Sequence, residues 1–237
     1  MRCSLVMSRY EARLARSEPV AEETQAFHLT RPRGFEFRAG QSMLVAIEGA
    51  THVFSIASAP HEPELMFATR MRRTDYKRAL ARARSGARFR VDGPHGLMAL
   101  HDDAKRPAAL LAGGIGVTPF LSMARHAAHA RLPHRLFLFY SNRRPQDAPF
   151  LQELASLELA NPTFRLVPTV TQVDAAKDWK GETGPIGRNL LERYLPDLRS
   201  PVYYFAGPPG LAMAMQSMLA ALGVSEDDMR SEEFYGY

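Results

Sequence analysis

Up to about residue 100, apolar positions recur at short range. The segments 5–14, 24–30, 42–47, 52–57, 64–70 and 87–92 each show period-two alternation or a short apolar run, and glycine or proline turns separate them. Six strands at this spacing predict a small antiparallel β-barrel. One helix interrupts them: Thr74 is suited to its N-cap, Asp75 to its first turn, and Tyr76, Leu80 and Ala83 fall near one face before Gly86. The short charged stretch 101–107 marks a change of rhythm. Beyond it, apolar strand patterns at 108–112, 136–141, 164–170 and 202–206 alternate with helical patterns after Thr118, around 150–158, near 189–194 and through 211–222. That alternation predicts an α/β doubly wound parallel sheet, with ligands at the carboxyl ends of its strands. Two domains are expected, 1–103 and 104–237.

At the first of these carboxyl ends lies Leu110-Leu-Ala-Gly-Gly-Ile-Gly-Val-Thr-Pro-Phe120. An apolar run empties into glycines that permit a tight turn, and Pro119 then opens a helix. Free backbone N–H groups and the helix dipole at such a junction can hold a diphosphate. Gly114-x-Gly116 followed by Pro119 departs from the usual dinucleotide fingerprint, whose third glycine would stand at 119, so by itself the motif reads equally as a tight βα turn.

Composition narrows the function classes. With 46% hydrophobic residues in 237, the chain can build buried cores, and its one cysteine, Cys3, excludes an intrachain disulfide, a cysteine zinc site or a cysteine-ligated iron–sulfur cluster within this polypeptide. A cytoplasmic address is the simplest expectation. The N-terminus, broken by Arg2, Arg9, Arg13 and Arg16, lacks an apolar export region. No membrane span is expected, because glycines and Pro119 break the longest apolar stretch. A net charge of +5 suits an anionic cofactor or an acidic protein partner, and a solvated arginine-rich surface is the plainer reading. Nucleic acid is not expected, since Arg70, Arg72, Arg73, Lys77 and Arg78 cluster without a helix-turn-helix or aromatic platform. His126 and His129 lack a third ligand and read as surface, with no metal implied. Leu211, Met213, Met215, Met218 and Leu219 read as a helix packed on the sheet.

Three ordered motifs carry a resemblance. His52-Val-Phe-Ser55 resembles the Arg-x-Tyr-Ser flavin motif of the ferredoxin–NADP reductase superfamily, Gly93-Pro-His-Gly96 resembles the turn closing its flavin barrel, and Gly113-Gly-Ile-Gly-Val-Thr-Pro119 is similar to its pyridine-nucleotide loop. The resemblance covers nearly the whole chain and implies bound FAD, with FMN the lesser alternative, and NADPH or NADH as hydride donor. It implies that Phe54 packs against the isoalloxazine and that Ser55 approaches flavin N5. Val53, Thr69, Arg70 and Gly93 join the implied cofactor-binding set. His52 stands where the family has arginine on the flavin diphosphate, and neutral imidazole offers one donor where guanidinium offers five and a permanent charge. The helix start and Lys77 are expected to compensate, although Lys77 and Arg78 read equally as a solvated helix face.

For the nucleotide, the resemblance implies Gly113, Gly114, Gly116, Thr118 and Pro119 at the diphosphate and Ser141, Asn142, Arg143 and Arg144 near the adenosine ribose. Arg143 and Arg144 suit a 2′-phosphate and so NADPH, or else are surface arginines, and no acidic residue in that stretch argues for an unphosphorylated ribose. Ala206-Gly-Pro-Pro-Gly210 resembles the family's Cys-Gly-Pro turn, bringing Gly207 and Pro208 beside the nicotinamide with Ala206 in the cysteine's place. The aromatic end of the chain is implied to cover the flavin as a gate, through Phe234 or Tyr237, with Glu232 as the acidic group. The implied activity is hydride transfer from NAD(P)H to FAD, then electrons to a separate acceptor: ferredoxin, flavodoxin, an oxygenase component or a small oxidant. The alternative is a non-enzymatic flavin- or nucleotide-binding subunit, motivated by His52 and Ala206.

Overall fold

The computed structural model describes residues 9–172 and 178–233. Its first half is a six-stranded antiparallel sheet built from β1 (Arg9–Ala21), β2 (Thr24–Thr30), β3 (Ser42–Ile47), β4 (Ala50–Ser55), β5 (Glu64–Arg70) and β6 (Arg88–His95), in the order β4-β3-β6-β1-β2-β5. β1 serves two neighbours in turn. Its first part pairs with β6 over Arg9–Arg13, and after Leu14 a register shift hands the strand to β2, which bends the sheet upon itself. The outermost strands meet where Ala57 N–H donates to Met66 O at 2.7 Å and Met66 N–H to the Ser58 hydroxyl at 2.9 Å. Phe27, Leu29, Phe35, Met43, Val45, Phe67, Phe89 and Val91 fill the interior, each at 1% exposure or less. Helix α1 (Asp75–Arg82) lies over this core and is tied to it by the Tyr76 hydroxyl, which donates to Val45 O at 2.9 Å.

The second half is a parallel sheet of β7 (Ala108–Gly113), β8 (Leu136–Asn142), β9 (Phe164–Val170), β10 (Glu182–Thr183), β11 (Val202–Gly207) and β12 (Met229–Glu233), ordered β10-β9-β8-β7-β11-β12. β7 is central and buried throughout, which explains its unbroken apolar run. Leu110 and Ala112 face one core, shared with α2 (Thr118–Ala130) and α3 (Leu151–Ala160); Ala109 and Leu111 face the other, shared with α4 (Arg188–Tyr194) and α5 (Pro209–Ala221). Among the described residues, no helix is long and apolar enough to cross a membrane.

Strands 24–30, 42–47, 64–70 and 164–170 stand where the pattern predicts them. The first strand runs on past Leu14 to Ala21, because beyond its bend it pairs only with β2 and polar residues continue along an exposed edge. β10 and β12 carry no apolar pattern: one spans two residues, and the other, Met-Arg-Ser-Glu-Glu, pairs on one side only, with β11. Met213 departs from the expected sheet-facing stripe at 60% exposure, while Met215 and Leu219 are buried. Of the two histidines read as surface, His129 is exposed and stacks on His61 at 3.7 Å, whereas His126 Nδ1 is buried. The stretch between the sheets is packed: His101 N–H donates to the Tyr204 hydroxyl at 2.9 Å, and Arg106 binds Ser200 O and Asp228.

The halves also join through α2. The Ser122 hydroxyl donates to Ser58 O at 2.6 Å, just beyond β4, and Arg125 reaches Glu62 at 3.2 Å and Glu153 at 2.6 Å. The helix that starts at the glycine turn is thereby anchored to the segment that follows Ser55.

Candidate functional site between the two sheets

At the carboxyl end of β7 the chain makes a single 3-10 turn, Gly114–Val117, and enters α2 directly. No side chain caps the 3-10 turn, so its first N–H groups remain available to a ligand, whereas at the start of α2 Thr118 N–H donates to Ile115 O and Pro119 has no N–H. Gly114 has φ +54 and open space about its missing side chain. Gly116 is used differently: a Cβ there would lie 2.3 Å from Ala206 O, so the turn fits only by pressing bare backbone against β11. Gly207, with φ +151, packs in turn against Gly113.

The resulting cleft, about 390 Å³, is walled by Gly113, Gly114 and Ile115, by Ser141, Asn142 and Arg143 from the end of β8, and by Pro208 and Leu211. Its opposite wall comes from the barrel, with Glu22, Thr24, Arg70 and Arg72. The structure thus brings together Gly113, Gly114, Ser141, Asn142, Arg143, Arg70 and Pro208. Thr118 and Pro119 are buried behind the turn, and the Thr118 hydroxyl donates to Ile115 O at 3.1 Å, so their contribution is to shape the helix start.

Electrostatics at the rim correct one expectation. An acidic residue does stand there: Asp147, delivered by the short turn Pro145–Asp147, lines the cleft. Arg144 grips it through Nε at 3.0 Å and a terminal nitrogen at 2.8 Å, and also bonds Glu22 of the barrel. That grip holds the Asp147 carboxyl below the usual carboxylate range. Arg143 lies 3.8 Å from Asp147 and is half exposed, and Arg70 is paired with Glu23 at 2.9 Å. The two arginines read as a pair are therefore unequal, since Arg144 is engaged and Arg143 is the freer cation.

On the barrel side, His52 and Phe54 share a face of β4, ring centroids 6.4 Å apart, while Val53 points outward at 50% exposure. Ser55 breaks the alternation: the strand ends there, and Ser55 is buried with Ile56, Ala57 and Ser58 as the chain turns inward. Phe54 is only 9% exposed, enclosed by Phe67 at 4.6 Å and Tyr76 at 5.9 Å. Gly93, with φ +154, packs its backbone against Met43 and lies outside the cleft lining.

Lys77 is not on a solvated helix face. At 7% exposure, its ammonium lies 5.0 Å from the Phe54 ring centroid and 5.6 Å from that of Tyr76, and it donates to the Thr69 hydroxyl. Among the described residues no carboxylate pairs with it. Burial, and secondarily the charge of Arg72, pulls its pKa down to about 8. Burial, then Lys77, also lowers His52, which leaves the imidazole neutral at neutral pH. A buried base with a depressed pKa opposes folding while charged, so stability rises with pH from about 8 toward the ordinary 10.5, where the unfolded chain still holds the proton. In ligand-free protein, wild type should gain up to about 3 kcal/mol on Lys77→Met across that window. Denaturant melts of both proteins at pH 7.5 and 10 measure it, and a pH-independent difference would contradict the buried charge.

Comparison with known proteins places this architecture. Residues 110–217 match the oxidoreductase NAD-binding domain. Ferredoxin–NADP reductase B of Sorangium cellulosum is 30% identical over 193 residues, covering 78% of each chain. The chain belongs to the ferredoxin–NADP reductase superfamily. It is an oxidoreductase. The reductase component of propane 2-monooxygenase from Rhodococcus jostii is 25% identical over 94% of this chain, which spans 62% of that protein's length. A ferredoxin–NADP⁺ reductase from Neisseria gonorrhoeae, solved with bound FAD and NADP, shares the fold with a TM-score of 0.81 at 20% identity, over 94% of this chain and 98% of that one.

Within this superfamily member, Glu22, Thr24, Arg72, Asp147 and Leu211 are cleft residues that sequence reasoning missed. Asp147 had one signal, its spacing three residues after Arg144; Leu211 comes from the first turn of α5, and Glu22, Thr24 and Arg72 are brought in by docking of the barrel. Glu232 lies on β12 with its backbone beside Ala206, and its side chain lies outside the described residues, as do Phe234 and Tyr237.

Proposed function

We propose that this chain is a flavin-dependent NAD(P)H oxidoreductase that passes electrons through FAD to a separate acceptor, with residues 1–103 as the flavin unit and 104–237 as the nucleotide unit. The observation that carries it is the cleft itself, where a glycine turn with uncapped N–H groups faces a barrel wall carrying Arg72, and behind that wall the buried Lys77, which feels the charge of Arg72, pairs with no carboxylate among the described residues. These residues fit both groups: the turn and Arg143 suit a dinucleotide, and Lys77 and the start of α1 suit a flavin phosphate arm. FAD, when bound, supplies an acceptor for the hydride and a means of releasing electrons singly. The chain's own residues bind and orient. Gly113 and Gly114 let a diphosphate approach the backbone, Pro208 and Leu211 wall the cleft, and Ser55, buried at the end of β4, is the hydroxyl assigned to the flavin ring.

The basic surface supports an acidic protein acceptor of the ferredoxin or flavodoxin kind, steered by charge. Flavin absorption that bleaches on anaerobic addition of NADPH is the expected result, and protein that takes up no flavin would refute the enzyme and leave the non-enzymatic subunit. Because Arg144 is engaged by Asp147 and Glu22, Arg143 is assigned to the 2′-phosphate. Arg143→Ala should raise KM for NADPH about tenfold and leave NADH within about twofold, the scale of one charge-assisted hydrogen bond. Equal losses with both nucleotides would remove that assignment.

A further inference from the structure

Lys77 poses a problem that the folded chain alone does not solve. Its ammonium is buried, yet its polar contacts are one hydroxyl, Thr69, and two aromatic rings. Cation–π contact offsets only part of the cost of withdrawing a charge from water. Asp75, the carboxylate nearest in sequence, is 94% exposed at its side chain and turned to Arg78. The remaining groups around Lys77 are cationic or neutral: Arg72, which also lines the nucleotide cleft, and His52, whose ring sits 4.3 Å from that of Tyr76. Such surroundings suit an anion held in common by Lys77 and Arg72. The same ammonium covers Phe54, so the ring can present a face to a flat ligand only when Lys77 moves away.

We propose that Lys77 is a two-position side chain that leaves the Phe54 ring to bind the phosphate arm of the flavin, so that the anion and the flat ring system of one ligand are bound cooperatively. This rests on the flavoprotein reading above. The flexible stem of lysine permits the movement, and the phosphate supplies the counter-charge that no carboxylate among the described residues provides. Phe54 then becomes available to the ring system because its cationic cover has been drawn off. The coupling predicts opposite responses to one substitution, because removing the side chain deletes the anion's partner and uncovers the aromatic at the same time.

The test titrates flavin-free protein with FAD and with riboflavin, which lacks phosphate, following quenching of flavin fluorescence in wild type, Lys77→Ala and Lys77→Arg. Lys77→Ala should bind FAD about 10- to 100-fold more weakly, as expected for loss of a charge-assisted bond, and riboflavin as well as wild type or better. Lys77→Arg should keep FAD within about threefold, the charge being retained. Circular dichroism confirms folding; if Lys77→Ala does not fold, Lys77→Met replaces it, with FAD weakened and riboflavin unchanged. FAD affinity within twofold of wild type would overturn the proposal, as would FAD and riboflavin weakening together, the mark of lost packing. Wild type that binds no FAD refutes the flavoprotein reading and this inference together, whereas wild type that binds FAD beside an unaffected Lys77→Ala refutes this inference alone.

Discussion

Replacing Gly116 with alanine should destabilise the protein by about 3 kcal/mol and abolish nucleotide binding, the upper end of what overpacking costs. The added Cβ would stand 2.3 Å from Ala206 O, 2.5 Å from Ala206 C and 2.6 Å from Gly207 Cα. All three are backbone atoms of β11, a strand held by β7 on one side and β12 on the other, so no side-chain rotation relieves the clash. Either the turn lifts off the sheet or β11 shifts, and both distort the cleft floor. The melting temperature should fall by roughly 8 °C at this chain length. Gly114→Ala is the comparison: the left-handed φ of +54 is unfavourable for alanine, but nothing stands within 4 Å, so a loss of about 1 kcal/mol is expected. Thermal melts and NADPH titration of the two variants measure the contrast. A Gly116→Ala protein that melts within 2 °C of wild type would mean that the turn does not abut β11.

Arg125→Ala should cost about 2 to 3 kcal/mol, below the range for a fully buried ion pair because its carboxylate partners retain some solvent. The Arg125 side chain is 16% exposed and binds Glu153 at 2.6 Å, Glu62 at 3.2 Å and Ala57 O at 3.4 Å. It links α2 and α3 of the parallel sheet to the segment leaving β4. Truncation leaves two carboxylates facing one another without their cation, and that repulsion is most of the expected loss. Adding Glu62→Gln and Glu153→Gln should therefore recover about half of it, whereas a purely steric role for Arg125 predicts no recovery. Urea titration of the three proteins separates the two outcomes.

Parts of this organisation are legible from residue order because they depend on local chemistry. The short apolar runs of β2, β3 and β5 and the fully buried run of β7 mark strands, since runs of this length bounded by turn residues suit extended chain. Thr74 marks the start of α1 through its own hydroxyl, which accepts from Lys77 N–H. The glycines at 113, 114 and 116 mark the turn because backbone without side chains is rare and purposeful. β12 left no such imprint: its pairing with β11 joins residues more than twenty positions apart, and its polar sequence suits an edge.

By itself the sequence determined two units of different rhythm, the glycine turn between strand and helix, and the departures at His52 and Ala206, all carried by residues acting within a few positions of one another. Tertiary structure alone decided which cations are free. Arg144 is neutralised by Asp147 and by Glu22 from the other half, Arg143 is left freer, and Lys77 is buried against Phe54 with no carboxylate partner among the described residues. Charge compensation depends on distance in space, and folding brings together at the cleft residues separated by more than one hundred positions in the chain.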